Sequence, residues 1–242
     1  MPTGIIIDTL AVAIGGVLGA VVGHKLTDEF KTQISLIFGI CSMGMGISSI
    51  VLMENMPAVI FSIVIGTGIG LAIHLGNLIN KSAIGMQQGI SKVFKNNKSS
   101  LSEEDFTDTL VTIIVLFCAS GTGIYGSMVA GMSGDHTIMI SKSILDLFTA
   151  AIFACSLGLV VSTVAIPQFI IFFLLFICAK SILPLTTPTM VNDFKACGGF
   201  LMLATGFRMV KLKMFPIADM IPAMVIVMPI SWLWVNYIMP LV

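Results

Sequence analysis

Asp8, Lys142 and Asp146 are ionisable side chains inside stretches of chain that are otherwise apolar. A carboxylate in such surroundings is costly unless it is paired, protonated or hydrated, and by default it marks a functional site. At 100° per residue, Asp8 falls on one helical stripe with Val12, Gly15 and Gly19, so its carboxylate faces the close-packed side of its helix. Lys142 and Asp146 stand one turn apart on one face, the spacing of an i,i+4 ion pair. Two readings of that pair stay open. It is a structural pair at a helix end, or Asp146 faces a wet cavity and its pairing changes as an ion or proton passes. Acids without an aromatic cage point to cations or protons as the chemistry.

A second segment, Ser120-Gly-Thr-Gly-Ile-Tyr-Gly-Ser127, places three glycines and several hydroxyls in the middle of an apolar stretch. Glycine weakens a helix, and irregular backbone at membrane depth survives only where protein or a wet cavity satisfies it. Broken helices of this kind form substrate and ion sites in transporters. The expectation is a non-helical break at Gly121–Gly126, with Ser120, Thr122 and Tyr125 offering hydroxyls to a cavity and freed carbonyls holding a cation. A continuous helix with a packing surface is the competing reading. Gln168, Asp219, Lys180, His74 and Asn77 complete the polar set. The candidate solute or ion pathway is therefore Asp8, Ser120, Gly121, Thr122, Gly123, Tyr125, Lys142, Asp146 and Gln168.

Other chemistries find little support. There is no Gly-x-Ser-x-Gly elbow, and Gly134-Asp135 lacks the further glycine of an intramembrane aspartyl protease. His24, His74 and His136 are scattered without zinc spacing. Cys41, Cys118, Cys155, Cys178 and Cys197 lie in or beside apolar stretches and read as small hydrophobes. Gly66-Thr-Gly-Ile-Gly70 follows no strand and is no dinucleotide fingerprint. The expectation is no enzyme, no cofactor and no metal. A formal net charge of zero suggests no nucleic-acid partner.

The elements that carry these residues are apolar helices. The 242 residues are 57% hydrophobic and 10% charged, with mean hydropathy +1.06, against about 25% charged in soluble domains. A membrane span needs roughly 20 apolar residues. Eight stretches qualify: about 4–23, 32–53, 57–77, 109–131, 143–164, 166–184, 196–212 and 216–240. The fourth is Gly-interrupted and the seventh is short, so seven spans is the alternative count. The expected fold class is an all-α polytopic membrane helix bundle, one integral domain over 1–242. The N-terminus has no basic region ahead of its apolar run, so no cleaved signal peptide is expected.

Basic residues orient such a chain. With eight spans and the N-terminus outside, Lys25, Lys31, Lys81, Lys92, Lys95, Lys98, Arg208, Lys211 and Lys213 fall on the cytoplasmic side, and only Lys142, Lys180 and Lys195 on the other. Trp232, Trp234 and Tyr237 then sit near the outer interface, and Pro222 and Pro229 are expected to kink the last span. Residues 78–108 form the one substantial polar segment. Ile79, Ala83, Met86, Ile90 and Val93 share a helical face there, the pattern of a helix lying on the inner membrane surface. An Asn-Asn-Lys-Ser-Ser linker follows, and Ser102-Glu-Glu-Asp105 has the form of a capping box.

Small residues every four positions let helices approach closely in lipid. Gly15, Gly19 and Gly23 do this in the first span, and Gly66 and Gly70 in the third. They predict tight packing or association of copies. Two echoes suggest an internal repeat. Asp8 and Asp146 each precede an Ala-Ile pair by five residues, and the spacing of Gly39 and Gly46 recurs at Gly199 and Gly206.

With these motifs in place, the chain resembles, over nearly its whole length, the uncharacterised bacterial YqgA-like membrane proteins, domain of unknown function 554. The most specific stretch is Gly131-Met-Ser-Gly-Asp135 through Lys142-Ser-Ile-Leu-Asp146, which looks like the family's Gly-Leu-x-Gly-Asp and Lys-Ser-x-Leu-Asp. Gln168, Gly198-Gly199, Gly206 and Pro222-Ala223 also fall where the family tends to have them. The chain departs in carrying Asp8, where the family usually has Asn, and Gly121-Thr-Gly123, where it often reads Gly-Pro-Met. The resemblance implies a bacterial multi-pass protein of the cytoplasmic (inner) membrane with a transport role and no settled substrate. The expected function is passage of a small solute or ion, proton- or cation-coupled, by alternating access, with the lipid bilayer as partner. Alternatives are an oligomeric channel built from glycine-rich helices and a non-transporting membrane scaffold or sensor.

Overall fold

The computed structural model describes residues 1–22, 27–93 and 103–241. Eleven α-helices occur among them: α1 (Thr3–Val22), α2 (Asp28–Ile50), α3 (Met56–Ala72), α4 (Leu75–Val93), α5 (Glu103–Cys118), α6 (Gly121–Ser133), α7 (Thr137–Leu157), α8 (Val160–Thr163), α9 (Ala165–Ile182), α10 (Pro188–Met209) and α11 (Ile217–Leu233). No strand occurs among the described residues. Among the described residues six helical stretches are long and apolar enough to cross a membrane, and a seventh counts if α3 and the first part of α4, bent by 59°, form one span. The expected seventh stretch lies in α10, which has the length but carries Asp193, Lys195 and Arg208. The linker 96–100, Lys25 and Ser102 of the capping motif lie outside the described residues.

These helices are patterned inside out. On α9 the large side chains of Ile166, Ile170, Leu174 and Ile177 are exposed, three to four residues apart, while Ala165, Gln168, Phe172 and Ala179 are buried. On α1 the buried stripe is Gly4, Ile5, Asp8, Val12, Gly15, Gly16 and Gly19, with Leu10, Ile14, Leu18 and Val21 outside. Small and polar residues inside with branched apolar residues outside is what lipid selects. An all-α membrane bundle is the class this pattern describes.

The contacts divide into two units, each assembled from segments distant in sequence: residues 1–36 with 79–180, and residues 37–78 with 181–242. In the first unit α1 and α7 run parallel. Gly4 abuts His136 and Met139, and Gly15 and Gly19 sit against the backbone carbonyls of Leu147 and Ala151, so both chains advance together. Parallel neighbours are what an eight-span order requires of its first and fifth spans. The hydrophobic core here joins Val12, Leu110, Ile113, Ile114, Phe117, Ala150, Ala154, Leu157 and Val161. Ala83 of α4 belongs to that same core, and Met86 and Ile90 pack against it. Much of the apolar face expected to lie on the membrane surface is therefore turned onto the protein itself.

In the second unit α2 runs antiparallel to α10. Gly46 faces Gly199, and Gly39 faces Gly206, each against the other's carbonyl. The seven-residue spacing that reads as a repeat in the sequence is thus two sides of one contact. Gly66 and Gly70 of α3 likewise seat Ala223 and Asp219 of α11. Gly15 and Gly19 of the first span and Gly66 and Gly70 of the third are in this way occupied within the chain. α11 continues as a helix through Pro222 and Pro229.

Asp193, fully buried on α10, ties this unit together. Its Oδ1 accepts from the backbone N–H groups of Glu54 (3.0 Å) and Asn55 (2.9 Å), and its Oδ2 from Asn55 Nδ2 (2.9 Å) and Ser231 Oγ (2.6 Å). An anion at the N-terminus of α3 satisfies donors that the helix leaves unpaired. Asp219 does the same for α4, accepting from Gly76 N at 2.8 Å. Nothing in the local sequence marks Asp193 as a cap, because it lies 138 residues from the Asn55 N–H that it accepts from. Asp193→Asn turns one acceptor into a donor facing Asn55 Nδ2 and Ser231 Oγ, and costs about 2 kcal/mol by loss of buried hydrogen bonds. The measurement is the thermal midpoint of the purified protein, which falls in the variant; an unchanged midpoint would show that these donors need no carboxylate.

Candidate functional site

Three helices of the first unit bring one cluster together. α1 supplies Asp8 from its glycine stripe, α7 supplies Lys142 and Asp146 one turn apart, and α9 supplies Gln168 from its first turn. The close approach of α1 to α7, permitted by Gly15 and Gly19, is what brings Asp8 into reach of Lys142. Lys142 Nζ donates to Asp8 Oδ2 at 3.1 Å, and it also pairs with Asp146 Oδ2. Gln168 Nε2 donates to Asp8 Oδ2 at 2.8 Å and to Asp146 Oδ2 at 3.2 Å. Both carboxylates are thus bridged twice, once by an ammonium and once by an amide.

The cluster is buried. Asp8 and Gln168 are fully buried and Lys142 is 3% exposed, whereas the Asp146 side chain retains 12%. The ammonium lies 5.2 Å from the centre of the Phe172 ring and 6.0 Å from that of Phe117, distances at which an aromatic ring attracts a cation. Ile5, Met139 and Phe172 form the adjoining apolar wall. Two atoms of the cluster, Asp8 Oδ1 and Gln168 Oε1, are buried without a hydrogen-bond partner. Buried polar atoms are normally satisfied, so these two mark where the site is chemically incomplete.

The fourth span is interrupted here, and the interruption differs from the expected one. α5 ends at Cys118 and α6 starts at Gly121, so the break falls at Ala119–Ser120. Gly121–Gly126 are helical, not irregular. Ser120 caps α6, its Oγ accepting from Gly123 N at 3.1 Å. The glycines serve close packing: Gly123 lies against the Phe172 ring, and Gly126 against Ile138 and Met139. The expected break at Gly121–Gly126 is therefore absent, and from Gly121 onward the segment is a helix with a packing surface, the interruption lying just before it. Gly121, Thr122 and Tyr125 are buried on α6, and Tyr125 makes a further interaction. The link from this segment to the charges runs through Phe172, which touches Gly123 on one side and lies beside Lys142 on the other.

Of the residues singled out from sequence, Asp8, Lys142, Asp146 and Gln168 converge on one point, and Ser120, Gly121, Thr122, Gly123 and Tyr125 form the neighbouring helix start. Phe117 and Phe172 are members that sequence reasoning missed, since an aromatic residue in an apolar helix carries no signal of its own. No group of three or more His, Cys, Asp or Glu side chains able to hold a metal occurs among the described residues.

Comparison with known proteins adds kinship without a function. Residues 3–232 match a family described as "Protein of unknown function (DUF554)". The "Uncharacterized protein YqgA" of Escherichia coli (strain K12) is 45% identical over 234 residues, covering 97% of this chain and 98% of that one. The "Uncharacterized membrane protein YdfK" of Bacillus subtilis (strain 168) is 22% identical over 223 residues, covering 92% and 93%. No solved structure matches.

Proposed function

We propose, for a chain that belongs to the DUF554 family of proteins of unknown function, that it carries a small solute or ion across a membrane and uses the Asp8–Lys142–Asp146–Gln168 cluster as its coupling site. The observation that carries this reading is the cluster itself: one ammonium and two carboxylates bridged together inside an apolar bundle. Ionisable groups are costly within a membrane and mark ion or substrate pathways. The helix interrupted at Ala119–Ser120 beside it is the kind of element transporters use at their binding sites. The Bacillus subtilis relative, named an uncharacterized membrane protein, agrees with the setting. Multi-pass insertion in the cytoplasmic (inner) membrane, without enzymatic activity, cofactor or nucleic-acid partner, belongs to the same proposal. A channel made by glycine-rich helices of several copies has less to rest on, because Gly15, Gly19, Gly66 and Gly70 are packed within the chain.

In this reading the three charges hold the helices in one state, and a bound cation or proton changes the pairing of Asp146, the one acid with residual exposure. Asp146→Asn leaves the Asp8–Lys142 pair charge-balanced, so the variant folds and inserts normally. The test is charge movement by the reconstituted protein on a solid-supported membrane, challenged in turn with protons, alkali cations, amino acids, sugars and small carboxylates. At least one class produces a transient absent from protein-free membranes, and Asp146→Asn reduces it by tenfold or more. Silence toward every class, or a full response from the variant, overturns the reading.

A further inference from the structure

We propose that the cluster is a binding site for a single proton, held on Oδ1 of Asp8 and donated to Oε1 of Gln168. The argument is one of valence. The cluster holds one positive and two negative side chains, so when all are ionised it carries one uncompensated negative charge, buried against Ile5, Met139 and Phe172. One monovalent cation restores neutrality. The hydrogen-bond inventory says where it goes. Gln168 uses its two N–H groups on Asp8 Oδ2 and Asp146 Oδ2. Lys142 bonds the same two oxygens. Among the buried atoms of the cluster, what remains is Asp8 Oδ1 and Gln168 Oε1, both unpartnered, while Asp146 turns its residual exposure outward.

Both atoms are acceptors when the acid is ionised, so neither can satisfy the other. A proton on Asp8 Oδ1 makes it a donor. The carboxylic acid and the primary amide then close a cyclic pair: amide N–H to Oδ2, present at 2.8 Å, and acid O–H to Oε1. The step takes one proton from a hydronium ion and leaves one water molecule; no electron moves. A hard metal cation fits less well. Such ions want about six oxygen ligands, and this site offers two vacant oxygens backed by aromatic rings. The charged and titratable groups facing Asp8 are Lys142 and Asp146 of α7 and, beyond them, the buried thiol of Cys118 on α5; Gln168 of α9 is neutral. Gln168 is a positioning residue, and Asp8 is the proton holder.

The inference names the coupling ion of the proposed transporter and rests on that reading for its use, but not for its test. Infrared spectroscopy of the purified full-length protein in lipid, with and without carbon-13 aspartate, reads protonated carboxyl groups directly. At neutral pH the wild type shows an isotope-sensitive carboxylic-acid band. Asp8→Asn loses it. Asp146→Glu retains it with the aspartate isotope shift, because the proton is on Asp8. Gln168→Leu moves it to higher frequency, as the acid O–H loses its acceptor. Absence of the band in the wild type, its survival in Asp8→Asn, or its removal by sodium or potassium at constant pH overturns the inference. Absence of the band in the wild type overturns the inference even where a variant fails to fold, and its loss in Asp8→Asn assigns it. A band without any solute-driven transient leaves the proton site standing and defeats the transport reading; a transient without the band does the reverse.

Discussion

Lys142→Met is expected to be the most damaging single substitution in the chain. The methionine fits the volume of the lysine stem, so packing is nearly preserved. The ammonium it removes is the one positive group bonded to both Asp8 and Asp146. The Asp146 carboxylate is then left without a counter-charge in a buried pocket beside the proton-holding Asp8, with Gln168 Nε2 as their shared donor. Removing one partner of a buried ion pair costs about 3–5 kcal/mol, because the remaining charge is uncompensated. For a chain of this length that corresponds to a fall in thermal midpoint on the order of 10 °C. Thermal unfolding of the purified protein and its abundance in the membrane both report the loss. Adding Asp8→Asn and Asp146→Asn to the same chain removes both acids, and with them the stranded charge, and recovers at least half of it. A single variant as stable as the wild type would mean that the ammonium compensates nothing.

Gly15→Val should come next, by a different route. An added Cβ at Gly15 would occupy the space of the Leu147 backbone carbonyl, which cannot move unless α1 and α7 separate. Overpacking of this kind costs about 3 kcal/mol. The separation would also lengthen the contact between Asp8, two turns away, and Lys142, now 3.1 Å. Both losses fall on one substitution, and the thermal midpoint reads their sum. Gly44 on α2 is the control. A Cβ there meets nothing within 4 Å, and alanine favours a helix by up to about 1 kcal/mol over glycine. Gly44→Ala should therefore be neutral or slightly stabilising. Equal tolerance at Gly15 and Gly44 would contradict the close approach of α1 and α7.

Residue order and elementary physical chemistry alone determined the solvent and the elements. Apolar runs of span length demand backbone groups satisfied within each segment, and only helices do that in lipid. The same reasoning put Asp8 on the glycine face of its helix and Lys142 and Asp146 on one face of theirs, because a helix repeats every 3.6 residues whatever it packs against. It placed a weak point in the fourth span, since glycine and hydroxyl residues there compete with helix. The position of the break was two residues off: once Ser120 caps the new helix, the glycines after it can continue helically.

Only the tertiary structure decided who faces whom. Lys142 lies 134 residues from Asp8, and Gln168 lies 160 residues from it. No periodicity reaches that far; the pairing is set by which backbones can touch, and so by glycines opposite carbonyls. The same long-range choice made Asp193 a cap for α3 and turned the echoed glycines of α2 and α10 into one contact. It also laid much of the apolar face of α4 on protein core. A helix stripe says which residues must be covered; the partner that covers them is chosen by packing across the whole chain.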